Sequence, residues 1–203
     1  MRRGLILAGA LALAPSFAVA APRATDPDWP CQQVLVPVLT AEMMWGGPPL
    51  DSVGDWHGEP QVVALVERIA PREVSIEDGE AAVAEFLRDH AADHAKLAGL
   101  IFVGLLDETN RERRAVIGRI KDLAERQRNL AALIARLTSD LDAMPAEPAG
   151  EQAAERADLQ QRLTFTSRTY AQVQSTMRYA CQVPATFDRR LGAYAHMLAD
   201  AAR

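Results

Sequence analysis

The sequence predicts an all-α fold: a long antiparallel helical hairpin, residues 115–180, within a small helical bundle. Two amphipathic stretches flank a single break rich in proline and glycine, residues 145–150. Proline cannot continue a helix, and a loop this short makes the flanking helices antiparallel neighbours. Two cysteines provide a further observation, because a disulfide between them ties an irregular N-terminal arm to the bundle.

Each arm of the hairpin carries apolar residues at alternating spacings of four and three, the period that keeps one face against a partner helix. The first set is Val116, Ile120, Leu123, Leu130, Ile134, Leu137, Leu141 and Met144, and the second is Leu159, Leu163, Thr166, Tyr170, Val173, Met177 and Ala180.

Gln127 interrupts the first set. Counted from the turn, Gln127 faces Tyr170, so we predict that the amide and the phenol bond each other, since a buried unpaired amide costs about 1–3 kcal/mol. The alternative is a solvent-filled gap or a ligand site.

The first twenty residues are typical of a cleaved signal peptide. Residues 1–3 are basic, residues 5–13 are apolar, and residues 18–20 have the small-x-small form of a cleavage site. We therefore predict export to the periplasm. An uncleaved anchor is the alternative, but a spanning helix needs about 20 apolar residues, and Pro15 interrupts this stretch. No stable membrane span is expected after cleavage.

The charge of the chain indicates which partners it does not bind. The formal net charge is −5, and removal of Arg2 and Arg3 leaves 20 basic against 27 acidic residues, a net charge of −7. Because an acidic chain without a basic patch is not typical of nucleic-acid binding, we expect no nucleic-acid partner. The length after cleavage fits one domain, divided into an arm, residues 21–60, and a helical bundle, residues 61–203.

The arm, residues 21–60, is rich in tryptophan and proline and has no useful helical period. Trp45 follows Met43 and Met44, and these three residues form a candidate partner-binding pocket. The alternative is that they anchor the arm onto the helices, because large apolar side chains hold down a segment with little regular structure.

The bundle, residues 61–203, contains further helices besides the hairpin. A short helix starts at Gln61 and ends at Pro71, and Ser75 with Asp78 resembles a capping box that opens the next helix. A second capping-box pattern, residues 109–112, predicts a kink or short break before the hairpin. After Val183 and Pro184 a final helix of roughly four turns returns along the bundle. Its apolar positions are Phe187, Leu191, Tyr194 and Leu198.

Cys31 and Cys181 are the only cysteines, and a pair of cysteines in an exported chain is normally a disulfide. A thiol metal site or a redox pair is the alternative, but a separation of this size matches no C-x-x-C motif. The bond would fasten the arm to the end of the second hairpin helix.

One group of residues has metal-ligand spacing: Asp89, His90, Asp93 and His94. On a helix, His90 and His94 would lie one turn apart, an arrangement that chelates a divalent ion. The alternative is a polar bundle end that binds nothing.

The sequence shows no phosphate-binding loop, nucleophile elbow or H-E-x-x-H motif, so we expect no enzyme activity and no cofactor, with a divalent metal ion as the alternative to the absence of a cofactor.

Three stretches resemble a group of uncharacterised, exported, mostly helical proteobacterial proteins. They are residues 29–32 with 44–49 (WPCQ and MWGGPP), residues 104–127, and residues 179–184 (YACQVP) with Arg190 and Leu191. The resemblance implies that both cysteines and the Trp45 segment belong to a shared architecture, and it brings no activity. This chain departs from the group at Gln182, where an acidic residue is expected.

These observations together favour a non-enzymatic periplasmic interaction or scaffold protein that docks another envelope protein through exposed helical faces or the Trp45 segment. The alternative is a periplasmic metal-binding or metal-sensing protein that uses the Asp89 to His94 cluster. The sequence leaves open whether a second copy completes the bundle as a homodimer.

Overall fold

The computed structural model describes residues 26–203, where all regular structure is helical, as predicted. The helices are α1 (Ala41–Met44), α2 (Pro60–Ile69), α3 (Ile76–Asp89), α4 (His94–Ala143), α5 (Glu151–Ala180) and α6 (Val183–Ala201), and a 3-10 turn (Trp56–Gly58) precedes α2. The hairpin of α4 and α5 and the final helix α6 are confirmed. The predicted signal peptide, residues 1–20, lies outside the described residues.

The N-terminal half of α4 is the centre of the bundle. Leu100, Ile101 and Phe102 are consecutive and at most 1% exposed, so neighbours must surround the helix on every side. These neighbours are α2, α3, α6 and the arm, whose side chains form one continuous apolar core with this part of α4. Close packing of α3 on α6 requires Gly79, because a Cβ there would lie 1.8 Å from the hydroxyl oxygen of Tyr194.

The predicted break at residues 109–112 is wrong, because α4 runs through it without interruption. Asn110 is buried and has a tertiary partner instead of a capping role: its amide oxygen accepts from the N–H of Leu39 and its amide nitrogen donates to the carbonyl of Leu39, both at 2.9 Å. The actual break is at residues 90–93. There His90, at φ −118° and ψ 41°, leaves helical geometry and ends α3.

Helix ends near α2 follow the sequence signals. α2 ends before Pro71, and the Ser75 hydroxyl accepts from the N–H of Asp78 at 3.0 Å at the start of α3, as the capping pattern predicts. Arg190 of α6 donates to the carbonyl of Ile69, the last residue of α2, at 3.0 Å and to that of Pro71, just beyond the helix, at 3.1 Å. A guanidinium at this helix end also complements the helix dipole.

The disulfide between Cys31 and Cys181 is confirmed, with the two Cα atoms 5.6 Å apart. It ties the arm to the end of α5, as predicted. A second, smaller apolar cluster surrounds it, in which Trp29 packs with Ile117 and Ile120 of α4. The indole N–H of Trp29 is satisfied by the carbonyl of Gln33 at 2.7 Å, so the ring is buried without an orphaned donor.

The outer part of the hairpin lies apart from this core. No side chain of residues 125–170 belongs to either apolar cluster, and α5 buries only Thr166 and Val173. The turn is completed by Gly150, whose φ of +57° favours glycine, and by Arg156, which donates to the carbonyl of Leu141 at 3.3 Å. The hairpin therefore extends from the bundle as two helices with little core of their own.

The predicted hydrogen bond between Gln127 and Tyr170 does not form. Both side chains are only half-buried. Within residues 26–203 the one buried side-chain nitrogen or oxygen without a partner is Nε of Arg113. Because Gln127 retains access to solvent, its amide needs no protein partner, and the premise of a dry seam at this position is wrong.

Candidate functional site

A cleft of about 490 Å³ lies between α2, the middle of α4 and the start of α6. Its floor is apolar and includes the half-buried Val63 and Val116 and the buried Leu105, Phe187 and Leu191. Side chains on three different helices form this floor, so the shape of the cleft depends on the packing of the whole bundle.

The rim of the cleft carries both signs of charge. Its charged residues outside the buried wall are Glu67, Arg72, Glu73, Glu108, Arg111, Glu112 and Arg119. Nε of Arg111 lies 3.0 Å from Glu108, and this hydrogen bond raises the pKa of the guanidinium. Arg119 is exposed and forms no ion pair within residues 26–203. The rim can therefore offer both a cation and carboxylates to an occupant.

Arg190 makes one wall of the cleft rigid. It is 8% exposed, and besides the α2 carbonyls it donates to the carbonyl of Val74 and approaches the Tyr194 hydroxyl at 3.4 Å. Burial raises the pKa of Tyr194, although the neighbouring guanidinium opposes this, so the hydroxyl stays protonated. The sequence analysis named Arg190 only as part of the resemblance and assigned it no structural role. A signal existed, because it lies three residues after Phe187 and four before Tyr194, on the buried face of α6.

Arg113 has a similar role at the disulfide end of the bundle. It is 2% exposed and donates to the carbonyls of Val36 at 2.6 Å and Pro184 at 3.1 Å and to the carboxylate of Asp188. Burial raises the pKa of Asp188, while the charge of Arg113 lowers it and opposes this effect. One side chain thus joins the arm, α4 and α6. The sequence analysis missed it, although it precedes Ile117 by four residues on the buried face.

The predicted metal cluster is not assembled. His90 ends α3 and His94 begins α4, so the two histidines do not share a helix face, and the geometric premise of the prediction is wrong. Each imidazole Nδ1 donates to a nearby carbonyl at 2.8 Å, His90 to Phe86 and His94 to Ala91. Within residues 26–203 no three histidine, cysteine or acidic side chains are grouped to hold a metal. Titration with zinc, copper and nickel remains the test of that hypothesis.

Two of the three side chains predicted to bind a partner, Met44 and Trp45, pack against the bundle instead of forming an open pocket. The Trp45 ring lies 4.6 Å from the ring of Phe102, and its indole N–H donates to the carbonyl of Pro48 at 2.7 Å. Met44 also packs against the core, whereas Met43 is 57% exposed. These contacts are those of an anchor for the arm. A partner-binding role for the three residues stays a prediction.

His57 is the one histidine of the cleft lining. Its Nδ1 lies 2.9 Å from the carboxylate of Asp55, and the centre of its ring lies 3.9 Å from that of Trp56, with the two rings tilted by 34°. The backbone N–H of His57 donates to the same carboxylate, and this bond, followed by the side-chain bond, lowers the pKa of Asp55. The pair is part of the cap that starts the 3-10 turn.

Comparisons with protein-family models, curated proteins and solved structures found no match for this chain. Among the helices of residues 26–203, none is both long and apolar enough to cross a membrane.

Proposed function

We propose that this protein is a non-enzymatic interaction protein of the periplasm, which docks a segment of another envelope protein in the cleft between α2, α4 and α6. The observation that carries the proposal is the apolar floor enclosed by a rim of both charge signs. This is the arrangement of protein interfaces, in which an apolar centre is surrounded by polar residues and arginine is enriched.

The chemistry of the cleft defines the segment that it would accept. The floor favours a short apolar stretch, such as one face of a helix, because burial of apolar side chains supplies the binding free energy. Glu67 on α2 and Arg119 on α4, without ion-pair partners in residues 26–203, would select a segment with a basic and an acidic residue at its flanks. Such charges contribute specificity and association rate more than affinity.

One structural observation and one sequence observation support the proposed periplasmic location. The disulfide supports an oxidising compartment, in which structural disulfides persist. The N-terminal sequence, outside the described residues, supports export through a signal peptide. In the periplasm the protein would share a compartment with the envelope partner that the proposal requires.

A capture experiment with matched variants tests the proposal. The protein, purified after export, is immobilised and exposed to envelope extract at moderate salt, beside Val116→Asp, Arg119→Glu and the control Arg114→Glu. Arg114 is an exposed arginine of the same helix outside the cleft. We expect a specific partner that the parent and the control retain, and that the two cleft variants lose by about tenfold or more. No specific partner, or equal capture by all four proteins, would contradict the proposal.

A further inference from the structure

The hairpin brings together a charge distribution that neither of its helices shows alone. We define the acidic tip as residues 139–158, which contain six carboxylates and one arginine. We define the basic band as residues 126–138 and 159–168, which contain five arginines and no carboxylate. The two regions therefore carry formal charges of −5 and +5 along one axis.

All of these charges except the half-buried Arg156 are exposed. Each of the six carboxylates of the acidic tip and the five arginines of the basic band is exposed. Only two of the arginines form ion pairs within residues 26–203: Arg128 with Asp28 at 3.2 Å and Arg162 with Asp158 at 3.7 Å. Three arginines and five carboxylates are thus available to a partner. Exposed charges with so few ion pairs contribute little to the stability of the chain itself.

We infer that the occupant of this surface is a second copy of the same chain, in which two hairpins lie antiparallel so that each acidic tip contacts the basic band of the other. A two-fold axis requires the same surface on both copies, and a −5 region followed by a +5 region is complementary to itself only in this orientation. Parallel hairpins would place like charges against each other.

The dimensions and the apolar residues agree with this arrangement. Alignment of one tip on the other band overlaps the hairpins over about 25 Å, as in a short four-helix bundle. Phe165 lies within the basic band, where it is 70% exposed. Burial of Phe165 in the four-helix segment would add an apolar anchor to the charge pairs. The cleft is on the bundle, so a dimer would present two clefts at opposite ends.

The test exploits the self-complementarity of the charges. The band variant carries Arg126→Glu, Arg136→Glu and Arg168→Glu, and the tip variant carries Asp140→Arg, Glu151→Arg and Glu155→Arg. The mass of the parent, of each variant and of their equimolar mixture is measured by sedimentation at low and high salt. Circular dichroism and thermal unfolding establish that each variant folds, as expected for exposed side chains without ion pairs in the described chain.

We expect a parent dimer that dissociates at least about tenfold more readily at high salt, because salt screens exposed charges. Each variant alone should be monomeric, since both of its regions then repel their counterparts. The mixture should form a one-to-one heterodimer, because the acidic band meets the basic tip. A monomeric parent, dimeric variants or a mixture without association would each overturn the inference. None of these results bears on the cleft, whose residues are unchanged.

Discussion

At the scale of single residues, Arg113 connects three separate segments of the chain. Its guanidinium reaches the arm at Val36 and α6 at Pro184 and Asp188, while its backbone belongs to α4. A buried charge is costly unless it is paired and hydrogen-bonded, and here carbonyls and a carboxylate surround it. Removal of the guanidinium would leave the buried carbonyl of Pro184, and the half-buried acceptors of Val36 and Asp188, without this donor.

Because the Asp188 carboxylate is 41% exposed, we expect Arg113→Met to lower the free energy of unfolding by about 1–3 kcal/mol, the cost of leaving buried acceptors without a donor. Arg113→Lys should recover only part of this loss, because one ammonium cannot reach three acceptors in different directions. The neighbouring Arg114 is exposed, and Arg114→Met should change stability by no more than about 0.5 kcal/mol. Urea unfolding measures all three, and equal stability of the Arg113 and Arg114 variants would refute the role assigned to the buried guanidinium.

Sequence periodicity locates the buried positions of α4 and α6 but does not say what an arginine does there. Arg113 and Arg190 both fall on the apolar faces of their helices, yet a pattern that counts only apolar residues passes over them. Their partners are backbone carbonyls of the arm and of the end of α2, and carbonyl positions depend on the tertiary fold. The hydrogen bonds of the two buried arginines were therefore not predictable, although an arginine at the spacing of core residues indicates that its side chain is buried.

At the scale of elements, the arm is held at several independent points. The disulfide and Trp29 fix its beginning, Asn110 fixes Leu39, and the indole of Trp56 donates to Asp107 at 3.0 Å. The chain-entropy model gives a disulfide across 150 residues about 5 kcal/mol as an upper figure. Since the later anchors do not involve the disulfide, its loss should act locally.

We predict that Cys31→Ser with Cys181→Ser increases hydrogen exchange and proteolysis in residues 26–36 but not in residues 39–58 or in α4 and α5. The physical reason is that each anchor opens separately when its own contacts are lost. The matched variant Asn110→Ala should produce the reverse pattern, with exchange raised around Leu39 while the disulfide holds residues 26–36. If the whole arm opens in the first variant, then the disulfide, and not the separate anchors, maintains it.

The positions of the helix breaks show how local signals and tertiary contacts compete. The capping pattern at residues 109–112 predicted a break that does not exist, because Asn110 bonds Leu39 across the fold. The break at residues 90–93 has no proline or glycine, and the histidines there were interpreted as metal ligands on a continuous helix. The hairpin turn was predictable because Pro145 has no N–H to continue α4, and Gly150 accommodates the positive φ of the turn.

At the scale of the whole molecule, the outer hairpin differs from the bundle in two ways: it carries the two charged regions, and its apolar residues are less buried. The sequence analysis found no basic patch, because the five arginines of the basic band come from two segments that only the hairpin turn brings side by side. The apolar seam predicted for residues 116–180 is likewise real but uneven. It is packed into the bundle up to Ala124 and mostly half-buried beyond it.

This division predicts that the outer hairpin can be removed without unfolding the bundle. Within residues 131–165 only Leu137 is less than 9% exposed, so their replacement by a short glycine-rich turn removes little buried surface. We expect the midpoint of thermal unfolding to stay within about 4 °C of the parent, since a shift of about 2–4 °C corresponds to roughly 1 kcal/mol in a domain of this size. The same truncation removes Phe165, the whole acidic tip and two of the five arginines of the basic band, so sedimentation should show a monomer, while capture of a partner in the cleft continues. An unfolded truncation would show that the hairpin supports the core, and a folded truncation that is still dimeric would place the contact between copies elsewhere.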